Sequence, residues 1–269
     1  MSLSKEALQL VIDAALSAAG ATLPTHTPVV LVPESTKLTN LETYQAGRSR
    51  FRGTFSTTSL VDFGAYVQER GEGLGFIDQD AMSSVVYFNL GTPEVPGHAD
   101  DKAALRLKAT VAFNAVQEIS GRRMAQRDLS DWIEDWNHNL TGFDAAGNAL
   151  PIAKVVASIR NITIKSLSES DHAVTEVSTS RSAMDQIEAT SKETLPANLV
   201  FTTSPYEGLS VREFTLRLSI ITSGSAPALT LRWVGEAAQR EEIAQEFKGV
   251  LLDQVQDKAT LRLGAFDPR

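Results

Sequence analysis

The sequence predicts an α+β protein with a mixed or largely antiparallel sheet and packed amphipathic helices. Strands outnumber helices in the second half of the chain, and loops of hairpin length join most of them, as antiparallel neighbours allow. Residues 85–88 are apolar without alternation, which is typical of a central strand covered on both faces. We expect two subdomains, an α+β subdomain at residues 1–150 and a β-rich subdomain with one long helix at residues 151–269.

Several segments have apolar residues spaced three and four apart, as in an amphipathic helix. They are residues 5–19, 59–70, 112–119, 126–139, 151–159 and 236–255. Ser59 and Asp62 have the spacing of a capping box, with Asp in place of the usual Glu. Pro151 suits the first position of its helix, because a proline there gives up no hydrogen bond. A single helical turn is predicted at residues 41–44.

Strands are predicted where apolar residues alternate with polar ones or form a short run. They are residues 28–32, 75–78, 83–90, 105–111, 162–165, 199–203, 212–222, 228–234 and 259–264. Residues 166–195 lack a long periodic run. We interpret them as mostly loop or strand, with one candidate helix at residues 182–188.

The helix predicted at residues 126–139 carries two of the three tryptophans. One stripe of this helix is apolar and consists of Leu129, Trp132, Ile133 and Trp136. We therefore expect both tryptophans to be mostly buried and the first half of the chain to pack around this helix. Its N-cap is Ala125, whose side chain cannot accept a hydrogen bond from a free backbone N–H.

The composition excludes several classes of protein. The 269 residues are 42% hydrophobic and 22% charged, which is ordinary for a soluble globular protein. The net charge of −8 argues against a basic coat for duplex DNA. Without cysteine there is no disulfide, thiolate nucleophile or cysteine-bound metal. The lack of cysteine also fits a reducing cytoplasm. No apolar run approaches the ~20 residues of a membrane span, and no signal peptide appears, so we expect no membrane segment.

No motif of a known catalytic class appears, so we predict no catalytic residue, cofactor or metal. His98, Asp100 and Asp101 share one loop, but their loose spacing favours a solvated loop over a metal site. A hydrolase or nuclease whose catalytic residues lie far apart in sequence stays an alternative.

The most basic stretch of the chain alternates Arg48, Arg50 and Arg52 with other residues, among them Phe51. If the stretch is extended, the arginines project on one side, where they would suit phosphates, and Phe51 projects on the other, where it could stack on a base. A single-stranded nucleic-acid site is therefore one hypothesis. The favoured interpretation is a short exposed edge or linker in which Phe51 packs inward, because the run is short and the chain is acidic.

The two strands before the last helix should form a hairpin whose register is restricted by their apolar residues. A shift of one residue would move every apolar side chain to the outer face, so only registers that differ by two are allowed. If Thr222 faces Pro227 across the turn, Leu218 faces Leu231 on the core face.

In that register Arg217 lies directly opposite Arg232 on the outer face. A tighter turn at residues 223–224 instead moves Arg217 opposite Thr230. Like charges directly opposed destabilise a sheet unless something negative lies between them. The same Thr-Leu-Arg pattern recurs at Arg262. We therefore predict an anion-binding or partner-binding role for Arg217, Arg232 and Arg262.

Several blocks of sequence occur together in a familiar order. They are Phe55-Ser-Thr-Thr-Ser-Leu-Val-Asp-Phe63, Tyr66-Val67, Phe76-Ile-Asp78, Val85-Val-Tyr-Phe-Asn89, Gly97-His-Ala-Asp-Asp101, Met124-Ala-Gln-Arg-Asp-Leu129, Trp132-Ile-Glu-Asp135 and the strands at Phe214 and Leu229. In this order they resemble the YfdQ-like family of phage and prophage proteins, and the resemblance covers most of the chain. It implies a phage-derived gene that acts in a bacterial cytoplasm, near replication or recombination genes. The family offers no established catalytic or binding residues.

We therefore expect a non-enzymatic phage accessory protein that acts by binding a host or phage protein. Its self-association into a homo-oligomer stays open. One alternative is a single-stranded nucleic-acid-binding protein of phage replication or recombination, and another is an uncharacterised hydrolase or nuclease.

The interpretation of the His98 loop can be tested by removing metal. Treatment with EDTA is expected to leave the melting temperature unchanged, because no metal-bound form exists to be stabilised by mass action. Scanning fluorimetry with and without the chelator measures this. A drop in melting temperature that added zinc restores, and that His98→Ala abolishes, would contradict the prediction.

Overall fold

In the computed structural model, residues 4–20, 42–162, 194–221 and 228–268 are described. The chain divides into two units, Met1–Phe51 and Arg52–Arg269. The first contains helix α1 (Lys5–Gly20) and a short 3-10 turn at Glu42–Tyr44. Both elements were predicted, and the Ser4 hydroxyl accepts a hydrogen bond from the N–H of Ala7 at the start of α1.

The second unit contains the remaining elements. Its helices are α2 (Leu60–Arg70), α3 (Val111–Ile119), α4 (Gln126–Asp135), α5 (Ile152–Arg160) and α6 (Glu236–Val255). Its strands are β1 (Gly53–Thr57), β2 (Gly73–Asp78), β3 (Ser83–Tyr87), β4 (Asp101–Arg106), β5 (Arg123–Met124), β6 (Leu140–Phe143), β7 (Ala149–Leu150), β8 (Asn198–Thr203), β9 (Arg212–Ile221), β10 (Ala228–Trp233) and β11 (Ala259–Leu263). Within the described ranges, no helix combines the length and the apolar composition needed to cross a bilayer.

The first sheet has five strands in the order β1-β4-β3-β2-β11. Pairs β1–β4 and β2–β11 are parallel and the other two pairs are antiparallel, so this sheet is mixed. Strand β3 lies in the middle, as its continuous apolar run predicted. Helix α2 packs against β1, β4 and α6. The Ser59 hydroxyl caps α2 by accepting a hydrogen bond from the N–H of Asp62 at 3.2 Å, as predicted.

One glycine allows the inner side of the first sheet to pack closely. A Cβ atom at Gly75 would lie 2.4 Å from Cδ2 of Leu261 and 2.8 Å from Cγ2 of Val86. Real Cβ atoms do not approach so closely, so a side chain at Gly75 would require the side chains of Leu261 and Val86 to shift.

The second sheet has six antiparallel strands in the order β5-β10-β9-β8-β6-β7. Its inner face carries fully buried residues on the three central strands, namely Leu199, Phe201, Phe214, Leu216, Leu229 and Leu231. Helix α3 packs against β8 and β10, α4 against β10 and α5, and α5 against β6. The predicted α+β class is confirmed, with one mixed and one antiparallel sheet.

Both sheets draw strands from either side of Leu150. Strands β5 and β6 precede it and belong to the second sheet, whereas β11 follows it and belongs to the first. The division into subdomains at residues 1–150 and 151–269 stays a prediction.

The strand predicted at residues 105–111 is displaced in the structure, where β4 spans Asp101–Arg106. Alternation continues beyond Arg106, but the Thr110 hydroxyl caps α3 by accepting a hydrogen bond from the N–H of Phe113 at 3.1 Å. The cap starts the helix at Val111, which is 74% exposed. A period-two pattern does not reveal where a cap interrupts it.

Helix α4 is shorter than predicted and ends at Asp135, with Trp136 as its C-cap. Ala125 makes no side-chain capping bond, as predicted. Trp132 and Trp136 are only partly buried, and both rings contact Phe201 of β8. The helix therefore packs on the second sheet and α5. The prediction that the first half of the chain packs around it is wrong.

The short strands β1, β5, β6 and β7 were not predicted, because two to five residues show too little periodicity. The predicted strand at residues 28–32 and candidate helix at 182–188 lie outside the described residues. So does most of the predicted strand at 162–165.

Arg212 connects β9 to helix α6. Its guanidinium donates hydrogen bonds to Glu246 at 2.9 Å and to Glu242 at 2.9 Å. Burial by itself raises the pKa of Glu246, but hydrogen bonds from Ser210 and Arg212 outweigh it and hold that pKa below the ordinary glutamate value.

Replacing Glu246 should therefore destabilise the protein in a pH-dependent way. Glu246→Gln is expected to lower the free energy of unfolding by about 1–2 kcal/mol near pH 7, since a charged hydrogen-bonded partner is lost. A group whose pKa is lowered by folding stabilises above its unfolded pKa, so the difference should shrink as the pH falls below about 4.3. Urea unfolding at several pH values measures this. Glu242→Gln is the control, because Glu242 binds the same arginine from an exposed position. A loss of unfolding free energy in Glu246→Gln that does not change with pH would contradict the conclusion that folding lowers the pKa of Glu246.

Trp132 tests the packing of α4. Trp132→Ala is expected to lower the free energy of unfolding by about 2 kcal/mol, which is less than the roughly 3–5 kcal/mol of a fully buried aromatic. Trp132→Phe retains a ring against Phe201 and should lose less than half of that. If Trp132→Ala melts at the same temperature as the wild type, the apolar stripe of α4 is a partner surface instead.

Candidate binding surfaces

The β9–β10 hairpin has the first of the two registers that the apolar pattern allowed. Leu218 faces Leu231 and Leu216 faces Trp233, and all four side chains are buried. The alternative with Arg217 opposite Thr230 is therefore wrong, since Thr230 faces Ser219.

Arg217 lies directly opposite Arg232 on the outer face of the second sheet. Cα atoms of directly opposed antiparallel residues are about 4.5–5.5 Å apart. Both side chains are exposed. Among the described residues, neither arginine forms an ion pair with a carboxylate. Two like charges are thus held side by side on a solvent-facing surface.

A third arginine joins this pair through the two-residue strand β5. Arg123 pairs with Thr230, which lies on the same face of β10 as Arg232. Diagonal neighbours on one face are about 7–8 Å apart, so Arg123 and Arg232 can reach a common anion. We call the outer surface formed by Arg123, Arg217 and Arg232 the arginine face. The sequence did not predict Arg123, because only strand pairing brings it here.

The neighbours of the arginine face are mainly neutral and polar. Asn198 on β8 lies opposite Arg217, and Thr230 lies between Arg123 and Ser219. Glu213 is on the same face of β9, but four residues from Arg217, a distance of about 13 Å along a strand.

Arg262 lies apart from this surface. It is on β11 in the first sheet, where it pairs with Phe76, and it is exposed. The three arginines singled out in the sequence therefore occupy two different sheets.

The basic stretch at Arg48, Arg50 and Arg52 does not form an extended row. The backbone bends at residues 49–50, and Arg52 belongs to the second unit whereas the others belong to the first. Phe51 is 60% exposed, so the interpretation that it packs inward is wrong. Nucleic-acid binding by this stretch stays a hypothesis.

Two of the three polar residues of the predicted His98 loop, Asp100 and Asp101, have structural partners. Asp101 is buried and forms an ion pair with Arg70 of α2. Asp100 accepts a hydrogen bond from the Asn89 amide at 2.7 Å. In the part of the chain that the structure describes, no group of three or more histidines and carboxylates is arranged to hold a metal ion.

Comparison with curated proteins and with solved structures gives no match. One family model, described as an uncharacterized conserved protein (DUF2303), matches residues 4–266. Because this match spans nearly the whole sequence, the chain belongs to the DUF2303 family of uncharacterized conserved proteins.

Proposed function

We propose that this chain is a phage- or prophage-derived accessory protein that binds a host or phage protein through its arginine face. The ordered blocks that resemble the YfdQ-like family support the phage origin and, with it, action in a bacterial cytoplasm. The match to an uncharacterized family carries no activity of its own.

The opposed pair Arg217 and Arg232 is the observation that carries the binding proposal. Directly opposed like charges cost a sheet free energy. No carboxylate of the described chain offsets this cost by pairing with either side chain. A partner's carboxylates would offset it, because arginine binds carboxylate with two parallel hydrogen bonds.

The shape and chemistry of the arginine face favour a protein partner. The face is an open sheet surface whose arginines alternate with hydroxyl and amide side chains such as Thr230 and Asn198. Arg232, Arg217, Asn198 and Phe143 lie opposite one another on neighbouring strands. Phe143 is the aromatic residue of this row, and it lies on β6, two strands from Arg217. On the strands that the structure describes, a base would find no ring directly beside these arginines to stack on, whereas surface carboxylates need only the guanidiniums.

Substitution of the opposed arginines should remove partner binding and spare the fold. Arg217→Gln/Arg232→Gln is expected to lose the proteins that the wild-type chain captures from lysate of a phage-carrying host. Its melting temperature should be unchanged or slightly higher, because the repulsion is relieved.

The matched control is Lys102→Gln/Arg262→Gln, which removes two positive charges from the outer face of the first sheet. It should capture the same proteins as the wild type. The captured protein is then titrated by calorimetry against the wild type and both double variants. Only Arg217→Gln/Arg232→Gln is expected to lose affinity, by at least about tenfold, since each charged hydrogen-bonded pair is worth several kcal/mol at most. Equal binding by Arg217→Gln/Arg232→Gln, or equal loss in both double variants, would overturn the proposal.

A further inference from the structure

The outer face of the first sheet carries a cluster of three aromatic rings. Phe76 on β2 and Tyr87 on β3 alternate with the buried residues Ile77 and Val86, so they point away from α2. After β11 the chain turns at Gly264, whose φ of +121° suits glycine, and comes back over the sheet. Phe266 then stacks on Phe76 with ring centroids 4.9 Å apart and planes inclined by 12°.

Tyr87 holds this returning segment in place. Its ring meets both phenylalanines edge-on, and its hydroxyl donates a hydrogen bond to the carbonyl oxygen of Phe266 at 3.2 Å. Tyr87 is only 4% exposed, whereas Phe266 is 45% exposed. Phe266 is therefore the outermost ring of the cluster, with one face on Phe76 and the other available to solvent.

Positive charges flank the ring cluster on both sides. Arg262 pairs with Phe76 from β11, and Lys102 pairs with Tyr87 from β4 with its Nζ 5.7 Å from the ring centroid. Arg106 lies further along β4 on the same face. Among the described residues, none of these three cations forms an ion pair with a carboxylate.

Two carboxylates lie near the same face. Asp78 on β2 accepts a hydrogen bond from the N–H of Ala81, and Asp267 lies close enough to Tyr87 to raise its pKa, after the larger effect of burial. Among the described residues, the cations Arg262, Lys102 and Arg106 therefore share this face with the carboxylates Asp78 and Asp267.

We propose that this surface, the aromatic face of Phe76, Tyr87 and Phe266, binds single-stranded nucleic acid. A base stacks on the exposed side of Phe266, and Arg262 and Lys102 bind phosphates on either side of it. The two cations lie three strand spacings and two residues apart, a Cα separation of about 16 Å that a few nucleotides span. An exposed ring between cations suits a single strand, because every base offers a flat surface for stacking.

This site is independent of the arginine face. The two surfaces lie on different sheets, and only the aromatic face places rings beside its cations. Each surface therefore supplies the control for the other.

The stacking ring is tested by fluorescence anisotropy with a labelled oligothymidine of about 20 nucleotides, long enough for one site. Phe266→Leu keeps an apolar side chain but removes the flat ring, and it is expected to weaken binding at least about fivefold. Phe266→Trp restores a ring and should bind at least as tightly as the wild type. Thermal melting of all three chains confirms that the fold is retained.

The flanking charges are tested by the salt dependence of the same binding. Each phosphate contact on a single strand contributes about −0.7 to the slope of log affinity against log salt concentration. Lys102→Gln/Arg262→Gln should therefore make the slope shallower by about 1.4. Arg217→Gln/Arg232→Gln removes the same charge from the other sheet and should leave the slope and the affinity unchanged.

Several results would overturn this proposal. One is no salt-dependent binding of the oligonucleotide by the wild type. Another is unchanged binding by Phe266→Leu, and a third is equal weakening by both double variants, which would indicate attraction without a site. If Phe266→Leu instead loses captured proteins and keeps oligonucleotide affinity, the surface is a protein interface.

Discussion

Burial of the inner residues of the β9–β10 hairpin is the constraint on which the second sheet depends. Leu216, Leu218 and Leu231 are each at most 2% exposed, and burying such a side chain contributes about 1.5–3 kcal/mol. A slip of one residue would expose all of them at once. Opposing Arg217 and Arg232 costs less, about 0.2–1 kcal/mol, so the burial of these leucines outweighs the repulsion between the paired charges.

The last helix and strand connect the two sheets. Helix α6 follows β10 of the second sheet and precedes β11 of the first sheet. Its Glu246 accepts a hydrogen bond from Arg212 of β9, and the helix packs on α2. In the second sheet, Phe113 of α3 contacts Phe214 of β9 and Trp233 of β10, with ring centroids 5.2 and 5.7 Å from its own. The first sheet has β1 and β11 as its edge strands, and these come from the two ends of Arg52–Arg269, so this sheet is completed only when both ends are in place.

The outer faces of the two sheets differ because folding places few demands on them. The inner positions must be apolar to pack against helices, whereas the alternate positions need only remain compatible with water. In the second sheet those positions hold the arginines of the arginine face. In the first sheet they hold Phe76 and Tyr87, which the returning Phe266 partly covers. The residues of both proposed binding surfaces therefore lie at outer positions of the sheets, where packing of the core does not require an apolar side chain.

The sequence by itself determined the α+β class, the bounds of α6 at Glu236–Val255 and the cap at Ser59, and it narrowed the β9–β10 register to two alternatives. Each of these depends on periodicity or capping within one segment or between neighbours in sequence. Only the tertiary structure decided that Arg123 joins the arginines and that Phe266 stacks on Phe76, 190 residues earlier in sequence by the difference of their numbers. Strand β5 has two residues and the segment after β11 has no period, so their positions come from contacts with distant strands, which local patterns do not encode.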